Sequence, residues 1–308
     1  MKILILGAAA GGGFPQWNDN TEASQRCRAG DPMAPPASQS SIAVSVNDDQ
    51  WVLFNASPDI RQQINDNPAM HPRHGRRDTP IASVILTNGD VDHIAGLLTL
   101  RESQPFAVYG TDRVMDVINT NAIFNALNPK FVDRRLINLN QSFEPADKQG
   151  HSTGLCVEPF AVPGKVALYN EDETQQNFGS VDEDTIGLKI SDTQTDQSFF
   201  YIPGCAAMPE DLKQRLQGSA LLLFDGTLWV NEEMLNQQVG IKTGARMGHM
   251  SMTGDTGSMA ALADCSITRK IFVHINNTNP VLLKDSPERQ QVLDQGWQVA
   301  YDGMEIEL

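Results

Sequence analysis

Short apolar runs recur along the whole chain, and they constrain its fold more than any other feature. They occupy residues 2–6, 41–46, 51–55, 81–86 and 106–109, then 155–162, 185–190, 198–202, 220–224 and 270–275. Runs this short, punctuated by turn formers such as Asn47-Asp48-Asp49 and Asn88-Gly89, read as strands. None approaches the roughly 20 apolar residues of a membrane-spanning helix. Helical patterns fall between them at 58–67, 94–102, 112–127, 209–216, 256–263 and 287–295, and 15–40 and 68–80 read as polar loops. Two β-rich halves with outer helices predict an α/β (α+β) chain with two mixed sheets in four αββα layers, not one parallel sheet. No composition break or linker separates the halves, so residues 1–308 are expected to form one domain. After the first strand, the run from Gly7 to Gly13 lacks dinucleotide-binding spacing. Phe14-Pro15 follows where a helix would start, so a tight loop with close backbone approach is expected.

Charge narrows the function. With 38 acidic and 23 basic side chains, the net charge is 23 − 38 = −15. That surface repels phosphate backbones and anionic membranes, so neither nucleic acid nor membrane is expected as a partner. The N-terminal apolar run is too short for a signal peptide, and a cytoplasmic location is expected. The cysteines, Cys27, Cys156, Cys205 and Cys265, are widely spaced without a Cys-x-x-Cys pair, which favours small buried hydrophobes over a disulfide framework. Metal or acid–base chemistry must draw on six histidines.

Three segments concentrate the candidate chemistry. Leu86-Thr87-Asn88-Gly89-Asp90-Val91-Asp92-His93 is a strand end entering a helix, where α/β folds place their sites. Asp90, Asp92 and His93 are potential ligands there, although either aspartate could instead cap the helix. His274 ends the apolar run before Asn276-Asn277-Thr278-Asn279 and reads either as a ligand or as a hydrogen-bonded core histidine. His249, in Met247-Gly248-His249-Met250, precedes a helix and reads as functional or as part of a cap.

Together these segments resemble the metallo-β-lactamase superfamily, whose Thr-His-x-His-x-Asp-His-x-x-Gly motif lies over residues 87–96. More narrowly, the chain resembles the B-protein family of pyrroloquinoline quinone (PQQ) biosynthesis. The resemblance is carried by Gly11-Gly12-Gly13-Phe14-Pro15-Gln16-Trp17-Asn18, Gln39-Ser40-Ser41-Ile42-Ala43, Asn55-Ala56-Ser57-Pro58-Asp59-Ile60-Arg61 and Phe224-Asp225-Gly226-Thr227. It implies the four-layer metallo-β-lactamase sandwich.

The departures are specific. Dinuclear members hold one metal through the first two motif histidines and a third further on. Here those places fall on Asn88, Asp90 and Lys165, and Gly204 stands at the bridging carboxylate. The resemblance therefore implies a single metal held by Asp92, His93 and His274, with Asn88 outside the ligand set. One carboxylate and two imidazoles suit non-haem Fe(II), the expected metal, with O2 as co-substrate; zinc accepts the same ligands. Asp90 is expected as a fourth ligand or a partner orienting an imidazole, and His249 as a proton carrier or substrate contact. Asp225 and Asn277 are expected to support the ligands, and Lys165 to meet substrate carboxylates; loop, cap or solvent contacts are the alternatives for these three.

The implied reaction is hydroxylation of the tyrosine ring of a small peptide-derived Glu–Tyr diamino acid, with other PQQ-pathway proteins as partners. The alternatives are a non-catalytic carrier of PQQ or its precursor toward the periplasm, and a zinc hydrolase. Many members of the family also carry a structural zinc on Cys-x-Cys-x-x-Cys after Trp17-Asn18. This chain has Asp19, Thr21 and Ser24 at those places, so the loop must be held another way.

Overall fold

The computed structural model describes residues 1–308. One sheet has seven strands and the other six. The first contains β1 (Lys2–Gly7), β2 (Ser41–Ser45), β3 (Trp51–Phe54), β4 (Ile81–Ile85), β5 (Phe106–Gly110), β6 (Val132–Leu136) and, from the chain end, β13 (Met304–Glu307), in the order β13-β1-β2-β3-β4-β5-β6. The second contains β7 (Leu155–Ala161), β8 (Ile186–Asp192), β9 (Ser198–Ile202), β10 (Leu221–Asp225), β11 (Arg269–Val273) and β12 (Trp297–Val299), in the order β12-β11-β10-β9-β8-β7. Both are mixed: β3 to β6 and β9 to β12 run parallel, whereas β13-β1-β2-β3 and β7-β8-β9 are antiparallel.

Side-chain alternation explains why the strands read as continuous apolar runs. In β1, Ile3 and Ile5 enter the layer between the sheets, while Leu4 and Leu6 pack outward beneath helices. In β10, Leu221 and Leu223 face inward, and Leu222 and Phe224 face the other helical layer. A strand apolar on both faces must be covered on both. The three resulting apolar layers make the αββα sandwich expected from the sequence. Helices Ile60–Asp66 and Asp112–Thr120 cover one outer face, and Glu210–Leu216 and Pro287–Asp294 the other.

The sheets are joined by backbone at the end where β4, β9, β10 and β11 finish. Ile186 N–H donates to Thr87 O (3.0 Å), Ile275 N–H to Ala8 O (2.9 Å) and Ala10 N–H to Ile275 O (2.8 Å). These bonds place the carboxyl ends of strands from both sheets around one cleft.

Several elements depart from the sequence reading. The helix expected at 94–102 begins earlier, at Val91, and tightens to a 3-10 turn over Ala95–Leu98. This turn lies close against the one after β3, where only glycine fits: a Cβ on Gly96 would lie 2.2 Å from Ser57 O. The helix expected at 112–127 stops at Thr120, and that at 256–263 contracts to Ser258–Ala261. Strands β6, β12 and β13 were not anticipated. β6 is a sheet edge whose Asp133, Arg134 and Arg135 obscure the apolar pattern, and charge at an edge discourages further pairing.

Residues 15–40, read as loop, contain the helix Glu22–Arg28, capped by Thr21. Asp19 is buried beside it. Its Oδ2 accepts from Thr21 Oγ1 (2.8 Å), Asn277 Nδ2 (3.2 Å) and Ser24 Oγ, while Oδ1 accepts from Thr21 N–H (3.1 Å). Asp19, Thr21 and Ser24 thus meet through hydrogen bonds. Burial opposes the Asp19 charge, but bonds from Ser24, Thr21 and Asn277 outweigh it and hold the carboxyl below its ordinary value. Asp19→Ala should lower the unfolding free energy by about 1–3 kcal/mol in denaturant titrations. The deficit should be full above pH about 4, where the unfolded carboxyl is also ionised, and shrink as pH falls through the lower folded value. An equal deficit at all pH values would contradict this role.

Candidate metal centre

The strand ends position the site side chains through backbone that few residues adopt. Asn55, after β3, takes a left-handed conformation (φ 64°). Its Oδ1 accepts from Thr87 N–H and its Nδ2 donates to Thr87 Oγ1, both at 2.9 Å, tying β3 to the turn after β4. Asp90 occupies the N-cap position of Val91–Ile94, but its carboxylate makes no capping bond. It lines the cleft instead, and burial together with the charge of Asp92 raises it to about 6. Ala56 N–H donates to His93 O (2.7 Å) and Gly96 N–H to Ala56 O (2.8 Å), seating the short helix against the turn after β3.

His93 is buried with a defined tautomer. Asn88 Oδ1 accepts from Asp90 N–H (3.0 Å) and lies 2.7 Å from His93 Nδ1. An atom that already accepts is the amide oxygen, so Nδ1 carries the proton and donates. Burial pushes the imidazole down to about 4, which leaves it neutral near pH 7. Its Nε2 lone pair is buried without a hydrogen-bond partner.

His274 follows β11 in a left-handed conformation (φ 56°), a costly one for a non-glycine residue. The Ile275–Ala8 pairing, Gly226 N–H to Val273 O (2.8 Å) and Asn276 N–H to Thr227 O (3.0 Å) hold it there. Thr227 Oγ1 lies 2.6 Å from Asp225 Oδ1 and 2.8 Å from His274 Nδ1. A hydroxyl that donates to the carboxylate can accept from the imidazole, and that tautomer offers a metal the lone pair of His274 Nε2. That atom lies 3.1 Å from Asp92 Oδ2, which is 3.8 Å from His93 Nε2. Donor atoms of Asp92, His93 and His274 all fall within 4.8 Å of one another. One imidazole nitrogen is buried without a hydrogen-bond partner and a second imidazole and a carboxylate converge on it, so this set could hold a metal.

A second cluster, Asp225, His249 and His274, is equally compact, but its carboxylate is committed. Asp225 Oδ2 accepts from Cys205 N–H (2.8 Å) and His249 Nδ1 (2.7 Å), and Oδ1 from the Thr227 amide and hydroxyl. Burial disfavours the Asp225 charge, but His249, His274 and Thr227 outweigh it and keep the carboxyl low. Asp225 in turn holds His249 above its ordinary value against the effect of burial. This network orients imidazoles and leaves no free carboxylate.

The cleft has a volume of about 320 Å³, and Asp90, Asp92, Lys165, His249 and His274 all line it. His93 and Asp225 stand behind the wall. Gly204 lines it too, and a Cβ there would lie 3.5 Å from His249 Cε1. The side chain missing from Gly204 therefore leaves its place beside the His249 ring. A Cβ on Gly11 would lie 3.4 Å from Asp92 Cγ, the close approach expected of the glycine-rich loop. Asn277 is elsewhere: its amide serves Asp19, not the donor set. Sequence reading missed Thr227 and the supporting role of Asn88. Thr227 sits in the string Phe224-Asp225-Gly226-Thr227, but a hydroxyl shared between a carboxylate and an imidazole has no signature of its own.

Comparison with known proteins places this geometry in a lineage. A model of the beta-lactamase superfamily domain matches residues 50–275. The coenzyme PQQ synthesis protein B of Gluconacetobacter diazotrophicus is 52% identical over 306 residues, covering 99% of each chain. The chain belongs to the coenzyme PQQ synthesis protein B family. Within that family, the crystal structure of zinc-bound PqqB from Methylobacterium extorquens superposes with a TM-score of 0.95 at 51% identity, covering 100% of both chains. A diphosphatase of the PhnP family, at 17% identity and a TM-score of 0.70, shares the fold.

Asn88→Ala removes the acceptor that fixes the His93 tautomer while sparing all three donors. Loss of such a supporting partner should weaken zinc affinity roughly 10–100-fold in a competitive chelator titration. His93→Ala should remove high-affinity binding altogether. An unchanged affinity in Asn88→Ala would show that the amide does not orient the ligand.

Proposed function

We propose that this chain acts in PQQ biosynthesis as a mononuclear Fe(II)- and O2-dependent hydroxylase of the tyrosine ring in a small, peptide-derived Glu–Tyr diamino acid. The observation that carries this reading is the single open donor set of Asp92, His93 and His274, beside a position where Lys165 and Gly204 offer no second set. A hydrolase that positions hydroxide between two metals needs both sets. Two imidazoles and one carboxylate leave coordination positions open, the arrangement that non-haem Fe(II) oxygenases use to activate O2. One oxygen atom enters the ring and the other leaves as water, consuming two protons and two electrons from a reductant.

The chain's own groups supply the rest. His249 has Nδ1 committed to Asp225, so Nε2 is the nitrogen free to pass a proton to or from the cleft. Asp90, unpaired and raised to about 6, can accept a proton or receive a substrate ammonium. Lys165 offers a cation to substrate carboxylates from the cleft wall. No helix is long and apolar enough to cross a membrane. We place the reaction in the cytoplasm, where other proteins of the pathway would supply the substrate.

The test is anaerobic Fe(II) loading, addition of the cross-linked Glu–Tyr compound, exposure to O2 and mass spectrometry. The product should be heavier by one or two oxygen atoms, depend on Fe(II), and disappear in His274→Ala. Stoichiometric iron with no mass change would refute the hydroxylase and favour the carrier. Turnover of an ester or phosphodiester with zinc, independent of O2, would favour a hydrolase.

A further inference from the structure

One wall of the cleft gathers positive charge in a chain of net charge −15. Lys165 and Lys242 both line it, and Lys242 has no ion-pair partner. Behind Lys165, Arg246 grips Glu171 through two bonds, Nη1 to Oε1 (2.9 Å) and Nη2 to Oε2 (2.7 Å). Lys165 Nζ pairs with the same Glu171 Oε1. The guanidinium lies 4.0 Å from the centre of the Phe178 ring, which fixes its plane for bidentate pairing.

Glu171 is an unusual partner for this wall. Its side chain is only 6% exposed, yet it belongs to the stretch between β7 and β8 that has 3-10 turns and no strand. Asn177 and Phe178 in that stretch both take left-handed backbone (φ 48° and 57°). It is tied to the body by Tyr169 Oη donating to Gly89 O, Thr111 Oγ1 donating to Glu183 O (2.8 Å), the Asp184–Arg113 pair (3.0 Å) and the Glu171–Arg246 pair itself. A buried carboxylate held between two cations, one of which, Lys165, lines the cleft, occupies the place that a ligand carboxylate would take.

We propose that Lys165, Lys242 and Arg246 form the subsite for a substrate carboxylate, and that Glu171 fills it until an acidic substrate displaces it. Lys242 is the entry cation, free because no internal carboxylate reaches it. The subsite sets specificity for acidic small molecules over neutral ones of the same shape. It rests on the reading that the substrate bears carboxylates, and it adds the residues that select them.

The probe is glutarate, titrated calorimetrically into zinc-loaded protein at matched metal content, with glutaramide as the uncharged control. Wild type should bind glutarate in preference to glutaramide. Lys242→Met should weaken glutarate binding about tenfold, the loss of one charge-assisted hydrogen bond. Lys242→Arg should retain binding, and Glu171→Gln should tighten it because the internal competitor loses its charge. Equal binding by wild type and Lys242→Met, or no preference for glutarate over glutaramide in wild type, would overturn the proposal. If the binding pattern holds while the Glu–Tyr compound is not hydroxylated, the subsite stands and the reaction assignment falls. If hydroxylation proceeds in Lys242→Met with unchanged KM, the subsite falls alone.

Discussion

The convergence of three atoms able to ligate a metal governs this structure. His93 Nε2, His274 Nε2 and Asp92 Oδ2 converge: His93 Nε2 is buried without a hydrogen-bond partner, and His274 Nε2 lies 3.1 Å from Asp92 Oδ2, within hydrogen-bond reach. A cation among them would satisfy all three at once, and the surrounding fold makes their convergence unavoidable. Asn88 holds the proton of His93 on the far nitrogen, and Thr227, itself held by Asp225, meets Nδ1 of His274. The backbone bonds at Thr87–Ile186 and Ala8–Ile275 keep the two sheets, and with them the donors, from separating. Metal binding to this set should therefore appear as added resistance to unfolding.

Much of this was legible in the sequence. The apolar strand runs disclosed the two sheets because their residues pack on both faces, and the close spacing of Asp90, Asp92 and His93 marked the turn after β4. The short strands were hidden for physical reasons. β6 is a charged edge, and β12 and β13 are only three and four residues long, too short to establish a period. The pairing of His274 with Asp92 across 182 residues has no local signal, and it entered only through family resemblance. The helix Glu22–Arg28 was obscured because it buries only Ser24 and Cys27 and has no apolar stripe.

Hydrogen bonds and charge hold the surroundings of the donor set. Asp19, Thr21 and Ser24 form a polar knot at the N-terminal loop. Asn88 meets His93 Nδ1, Lys165 stands in the cleft, and the space beside Gly204 accommodates His249. The cleft thus combines one site of high donor density with two lysines, Lys165 and Lys242, in its lining.

Metal stoichiometry tests that account most directly. The purified chain, stripped with chelator and loaded anaerobically with Fe(II), can be analysed for iron per chain after removal of loosely bound ions. The single open donor set and the hydrogen-bonded N-terminal knot together predict one equivalent, falling to near zero in His93→Ala. Two tightly held equivalents per chain, or one that survives His93→Ala, would contradict it.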